Sequence, residues 1–318
     1  MARRHVSTIY DMMDLPHVKG QDFVELLQGI SAPDAEITMV PVPYEAPEDT
    51  SKMCDFIKIR IRGSEGKAKG GAYPTMGIIG RLGAQQAQPA RIGLVSDADG
   101  SIVALASAMK LLEFNAAGGQ LKGDVIITTH IATHASITPH EPVDFMGMPV
   151  SSATMNRYEV DPEMDAILSV DTSKGNSIIK HRGVAISATA KEGYILRVAP
   201  DLVRLLEFAT GKPAATFPIT LQDITPYENG LYHFNSIMQP HVATTAPVVG
   251  LAITAQSLVP GCDTGASYES ELTDATLYAV EVARQFTWKK ISFYDADEYA
   301  RLLALYGSLS VLQTARTA

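Results

Sequence analysis

Apolar residues recur along this chain in two patterns, one typical of buried strands and the other of amphipathic helices. Short apolar runs predict strands at residues 36–42, 76–79, 91–97, 124–131, 166–170, 184–190 and 248–253. Helical spacing predicts helices at residues 21–30, 101–114, 200–209, 268–286 and 295–312. Strands that alternate with helices are typical of a sheet with helices on both faces. We therefore predict an α/β fold with a mostly parallel, mixed central sheet.

Three segments depart from this plain alternation. Residues 56–62 alternate strictly between apolar and basic side chains, which predicts an exposed or edge strand and a contact edge between copies of the chain. Residues 124–131 are apolar almost throughout, which favours a central strand. Residues 136–160 are rich in proline and methionine and predict a long functional loop. We predict one domain over residues 1–318, with a small N-terminal subdomain at 1–72 as the alternative.

Composition narrows the function classes. The chain has 318 residues, 46% hydrophobic and 19% charged, with a formal net charge of −9. An acidic chain lacks the basic surface that nucleic acid requires, and no apolar run is long enough to span a membrane. We expect no signal peptide, and the two cysteines, Cys54 and Cys262, form no metal-binding spacing. We expect a cytoplasmic protein without nucleic-acid or membrane partners.

The first candidate functional residues lie in the segment SDADG at residues 96–100. Asp97 falls at the predicted end of a strand, where open α/β sheets place their functional groups. A carboxylate held there is suited to bind a metal ion. Asp99 either caps the following helix or takes part in catalysis beside Asp97.

A second aspartate and two histidines fall in similar places. Asp171 ends the apolar run 166–170, where it either binds metal with Asp97 or forms a local turn. His130 and His134 lie at the end of the predicted central strand. We favour His134 as the functional histidine, both as a metal ligand and as a catalytic group, with His130 as a further ligand, a supporting residue or a structural one.

The glycine-rich segment 260–269 leads into a predicted helix and suits an anionic group at the helix N-terminus. It offers Cys262, Asp263 and Glu269 for substrate binding, and Cys262 as a nucleophile in a metal-free alternative. Two other glycine-rich segments, 63–70 and 77–83, lack the spacings of nucleotide-binding loops, so neither NAD nor ATP binding is indicated.

Taken in order, SDADG at 96–100, LKGDVIIT at 121–128 and MDAILSVDT at 164–172 resemble the zinc-dependent exopeptidase superfamily, and within it the di-zinc aminopeptidases. The resemblance spans about residues 75–290. It implies that Asp97 bridges two metal ions and that Asp171 binds one of them. The whole chain also resembles a bacterial family of domains of unknown function.

The chain departs from that superfamily pattern at three places. The glutamate pair that supplies the general base would fall near Thr133 and His134, where this chain has no glutamate. A His-x-Asp motif expected near residues 81–83 is absent, and the last histidine ligand is replaced by the group Cys262, Asp263 and Glu269. The resemblance therefore implies a degenerate or rearranged metal site.

These observations lead to a functional hypothesis with two alternatives. The first is a metal-dependent, aminopeptidase-like hydrolase of a small peptide or other amide, with zinc, manganese or cobalt as the divalent ion. The second is a non-catalytic protein of the same fold that binds an amino acid or peptide. The third is metal-free chemistry at Cys262. The resemblance to aminopeptidases further implies a homo-oligomer.

Overall fold

The computed structural model describes residues 2–15, 17–45, 51–81, 83, 93–219, 234–262 and 267–313. Within these residues the strands are β1 (Ala35–Pro43), β2 (Met53–Ile61), β3 (Met76–Gly80), β4 (Val125–Ile131), β5 (Ile137–Thr138), β6 (Phe145–Met146), β7 (Ala166–Ser173), β8 (Gly183–Ser187), β9 (Ala190–Lys191), β10 (Tyr194–Ile195), β11 (Ala215–Phe217) and β12 (Val248–Thr254). The helices are α1 (Ala2–Met13), α2 (Gly20–Gln28), α3 (Asp99–Ala116), α4 (Ser152–Glu159), α5 (Pro200–Thr210), α6 (Glu269–Thr287) and α7 (Ala296–Tyr306).

Ten of these strands form one mixed sheet in the order β1-β2-β4-β3-β7-β12-β8-β11, with β9 beside β12 and β10 beside β9. The four central strands β4, β3, β7 and β12 are parallel to one another. This arrangement confirms the predicted α/β fold with a mixed sheet. It also places the carboxyl ends of four strands side by side.

Helices cover both faces of the sheet, as predicted. Apolar side chains of one face, such as Ile78 and Leu251, are buried in the same cluster as Ile102 of α3 and Val282 of α6. The other face packs against α4 and a 3-10 helix at residues 236–243. Burying each such aliphatic side chain contributes roughly 1.5–3 kcal/mol, so both interfaces stabilise the sheet substantially.

The position of β2 differs from the prediction. This strand contains the alternating residues 56–61 but pairs with β1 on one side and with β4 on the other, so it is not an edge strand. Its basic residues are satisfied locally: Lys58 and Arg60 form ion pairs with Asp161. The exposed edge belongs to β1, where Pro41 and Pro43 remove backbone donors and disfavour pairing with another strand.

Two further segments were predicted wrongly. Of the strand predicted at 91–97, residues 91 and 92 lie outside the described residues. Leu94 and Val95 form bridge pairs, and the chain enters a 3-10 turn at Ser96–Ala98 where a strand end was expected. Residues 136–160 are not one long loop, because they contain the hairpin β5–β6 and helix α4. The Ser151 hydroxyl caps α4 by accepting a hydrogen bond from the backbone N–H of Thr154 at 3.3 Å.

Close packing fixes α3 against the sheet. A Cβ atom added to Gly100 would lie 2.1 Å from the carbonyl oxygen of Arg81 and 2.6 Å from that of Val170. Only glycine allows the first turn of α3 to approach the ends of β3 and β7 this closely. The N-terminus of α3 therefore sits at the carboxyl end of the central strands.

None of the helices in the described residues is long and apolar enough to cross a membrane.

Asp34, in the turn before β1, is held by hydrogen bonds to side chains from other parts of the chain. Its carboxylate accepts hydrogen bonds from Lys69 at 2.7 Å, Gln120 at 2.9 Å and Asn115 at 3.2 Å. These bonds, with that of Lys69 the largest effect, lower the pKa of Asp34 to about 2. A carboxylate with a lowered pKa stabilises the fold above its unfolded pKa of about 4, and that stabilisation disappears as the pH falls through about 2.

We expect Asp34→Asn to lower the free energy of unfolding at pH 7 by about 1 kcal/mol, because the ion pair with Lys69 is partly screened by solvent. Urea unfolding at pH 7 and at about pH 2.5 measures this, and the difference between variant and wild type should shrink at the lower pH. The exposed Asp11→Asn is the matched control. An equal difference at both pH values would contradict the assignment.

Candidate functional site at the carboxyl edge of the sheet

The carboxyl ends of β3, β4, β7 and β12, together with the segments that follow them, form a polar region that we call the carboxyl edge. Six charged or titratable side chains of this region are at most 3% exposed: Arg81, Asp97, Asp99, His130, Asp171 and Lys174. Because buried charges are costly unless they are paired, their partners determine what this region can do.

Asp97 lies in the 3-10 turn that precedes α3 and is 1% exposed. Its backbone N–H donates to the carbonyl oxygen of Gly261 at 3.0 Å. A Cβ atom added to Gly261 would lie 1.9 Å from a carboxylate oxygen of Asp97. The segment after β12 therefore packs directly on this carboxylate, and a turn holds it where a strand end was predicted.

Asp99 is the first residue of α3, so it does not cap the helix from outside as one alternative proposed; Ala98 takes the N-cap position. Its carboxylate is fully buried, accepts a hydrogen bond from Lys174 Nζ at 2.8 Å and accepts another from the Ser267 hydroxyl. The Lys174 side chain is fully buried too, with its ammonium 5.4 Å from the ring centre of Tyr268. Burial raises the pKa of Asp99 although Lys174 opposes that rise.

Asp171 lies inside β7, which continues two residues beyond it, and its side chain is 1% exposed. One carboxylate oxygen accepts a hydrogen bond from the backbone N–H of Thr172 at 2.7 Å. Because this bond joins adjacent residues within a strand, it is not the turn that the alternative predicted.

His130 belongs to a buried ion-pair network. Its Nδ1 lies 2.5 Å from Glu159 Oε1, and Arg81 Nη1 donates to the other oxygen of Glu159 at 2.8 Å. Arg81 also donates to the side chain of Gln239. These side chains are at most 4% exposed. The network joins the ends of β3 and β4 to α4 and holds the imidazole in one orientation.

Sequence reasoning missed Glu159 altogether. This residue lies in the segment expected to be a loop, and its helix brings it to His130 from 29 positions away. The available signal was the serine at position 151, which is a frequent N-cap residue, at the start of the segment that forms α4.

His134 lies apart from this network. Its side chain is exposed, and its backbone N–H donates to the Tyr44 hydroxyl at 3.3 Å. It lines a cleft that also contains Lys19 and Asp55. The structure therefore places the favoured histidine beside β2, and its catalytic and ligand roles stay predictions.

The residues predicted to bind substrate are not brought together among the described residues either. Cys262 is buried, and its thiol points to the carbonyl oxygen of Asp144 at 3.8 Å. Glu269 accepts a hydrogen bond from Ser7 of α1 at 2.8 Å, so it joins α1 to the start of α6. Asp263 lies outside the described residues.

The donors at the carboxyl edge that lie in the described part of the chain do not by themselves complete a divalent-ion site. No three His, Cys, Asp or Glu side chains there form a group that could hold one. Asp99 already has the Lys174 ammonium as its cation, and Glu159 has the Arg81 guanidinium. The metal-ligand assignment of Asp97, Asp171, His130 and His134 therefore stays a prediction.

A family model described as "Protein of unknown function (DUF1177)" matches residues 45–316. No curated protein matches the sequence.

Three solved aminopeptidases share the fold. The LapA aminopeptidase of Legionella pneumophila is 11% identical with a TM-score of 0.50, over 89% of this chain and 70% of that one. The cytosol aminopeptidase of Coxiella burnetii is 12% identical with a TM-score of 0.53, over 88% and 69%. A tomato leucine aminopeptidase mutant is 12% identical with a TM-score of 0.51, over 87% of this chain and 61% of its own. At such identities the likeness shows the fold alone.

We expect Lys174→Met to lower the free energy of unfolding by about 3–5 kcal/mol, because it leaves the Asp99 carboxylate buried without its counter-charge. Chemical denaturation measures the loss. Adding Asp99→Asn should restore much of the stability, whereas Lys180→Met at an exposed position should cost less than about 0.5 kcal/mol. A wild-type midpoint for Lys174→Met would contradict the paired arrangement.

Proposed function

This chain belongs to the DUF1177 family of proteins of unknown function, and we propose that it is an aminopeptidase-like hydrolase of a short peptide or other small amide. The proposal is carried by one observation, the His130 imidazole held by the buried Glu159 at the carboxyl edge. Open α/β sheets place their chemistry at this edge. The aminopeptidase-like fold supports a peptide or amide substrate by analogy.

The geometry suits His130 for proton transfer. Since Nδ1 faces Glu159, the other ring nitrogen, Nε2, is the one that takes a proton from water. The water oxygen then bonds to the amide carbon, the C–N bond breaks, and His130 returns the proton to the leaving amine. Glu159 stabilises the imidazolium that forms, and Arg81 holds Glu159 in place through the 2.8 Å ion pair.

A divalent metal remains a separate hypothesis. A bound zinc, manganese or cobalt ion would polarise the amide carbonyl, and the residues proposed to hold it are Asp97 and Asp171, with His130 or His134 as further ligands. The proton transfer through His130 described above does not require it.

A specific observation favours a second candidate function, the binding of an amino acid or peptide without cleavage. Asp99 and Glu159 are both neutralised by cations of the chain itself, Lys174 and Arg81. Such internal ion pairs would keep the fold stable in a protein of this type that binds no metal ion. Activity assays separate the two candidates.

We expect the wild-type protein to release free amine from a panel of dipeptides and aminoacyl amides, and His130→Gln to lower kcat by about 100- to 10,000-fold with little change in KM. Glu159→Gln should lower kcat as well and shift the pH profile, because it removes the charge that stabilises the imidazolium. His181→Gln, at a histidine outside the network, is the control. Wild-type activity in His130→Gln would contradict this mechanism.

The metal hypothesis predicts stoichiometric zinc, manganese or cobalt in the purified wild-type protein and its loss in the Asp97→Ala, Asp171→Ala double variant. Elemental analysis measures both. Circular dichroism of the variant checks that it folds. Absence of metal from the wild type, even after incubation with zinc and manganese, would contradict the hypothesis.

A further inference from the structure

A cleft outside the His130 network has a volume of about 390 Å³, which is in the range of pockets for small ligands. It lies between the start of α2 and the adjacent ends of β2 and β4. We call it the α2 cleft. Its lining includes one carboxylate, two kinds of basic side chain and several apolar groups, among them Lys19, Met39, Met53, Asp55, Ile131 and His134.

Asp55 provides the negative charge of the α2 cleft. Its carboxylate is half-buried, and one oxygen, Oδ2, accepts a hydrogen bond from the backbone N–H of Gly20 at 2.8 Å. That bond fixes the carboxylate and leaves Oδ1 for a second donor. A ligand ammonium group would supply both that donor and a positive charge directly at the carboxylate.

Three basic side chains line the α2 cleft: Lys52 is partly buried and has an interaction of its own, and the two at the rim are Lys19 and His134. Both are exposed, and within the described residues neither side chain forms a hydrogen bond or an ion pair with another side chain. Lys19 lies close enough to Asp55 to act on its charge. A carboxylate held next to an ammonium bound at Asp55 would therefore meet the ammonium of Lys19 and the imidazole of His134, which can donate a hydrogen bond.

The rest of the α2 cleft is apolar. Met39, Met53 and Ile131 line it, and Met53 is 48% exposed. Methionine adapts its shape to different apolar ligands. A branched or unbranched aliphatic side chain would cover this surface.

We propose that the α2 cleft binds a free amino acid with an aliphatic side chain, with its ammonium group on Asp55, its carboxylate at Lys19 and His134, and its side chain on Met39, Met53 and Ile131. The proposal does not rest on hydrolysis, because it concerns binding at a place other than the His130 network. It predicts that the ligand must carry both charges.

Isothermal titration calorimetry of the full chain with L-leucine tests the proposal. We expect saturable binding to the wild type and at least a tenfold weaker Kd for Asp55→Asn, in which the amide oxygen can still accept the bond from Gly20. The double variant Lys19→Met, His134→Gln changes only exposed positions and should weaken binding similarly. Glu25→Gln, on α2 but outside the cleft lining, is the matched control and should bind as the wild type does.

Two analogues test the need for both charges. N-acetyl-L-leucine lacks the ammonium and L-leucinamide lacks the carboxylate, so each should bind at least tenfold more weakly than L-leucine. Absence of saturable L-leucine binding up to about 10 mM would overturn the proposal. So would unchanged binding in both cleft variants or equal binding of N-acetyl-L-leucine. Because the readout is binding, loss of hydrolysis alone would leave these outcomes unaffected.

Discussion

The cost of burying charge governs the carboxyl edge of this protein. Four parallel strands end there beside the first turn of α3, and β7, α3, α4 and the 3-10 turn before α3 place carboxylates in a region that solvent barely reaches. A buried carboxylate without a counter-charge costs several kcal/mol. At Asp99 and Glu159 this cost is offset by ion pairs with two cations of the chain, Lys174 and Arg81.

These internal ion pairs affect function and folding together. The Arg81–Glu159–His130 network connects three elements, so α4 cannot leave the sheet without exposing or separating buried charges. The same network fixes an imidazole at the sheet edge. A group that stabilises the packing of α4 is therefore also the group best placed for proton transfer.

The carboxyl edge and the α2 cleft differ in how they satisfy charge. At the edge, cations and carboxylates of the chain already face each other at hydrogen-bond distance. In the α2 cleft, the hydrogen-bond partner of Asp55 among the described residues is a backbone donor, and the side chains of Lys19 and His134 are exposed. An arrangement of the first kind stabilises a fold, whereas one of the second kind suits a ligand that carries both charges.

The sequence by itself determined most of the elements and the class of fold. Burial on one face or on both leaves a local periodic pattern, and this pattern predicted β3, β4, β7, β12 and the long helices α3 and α6 close to their observed bounds. It also directed attention to Asp97, Asp99, Asp171 and His130, since strand ends and helix starts are local features. Only the tertiary structure decided their partners. Lys174 is 75 positions from Asp99 in the sequence, and Glu159 is 29 positions from His130. A periodic pattern does not indicate which distant side chain will neutralise a buried charge. The interior position of β2 was decided in the same way, because alternation reports that a strand is partly exposed but not which strands lie beside it.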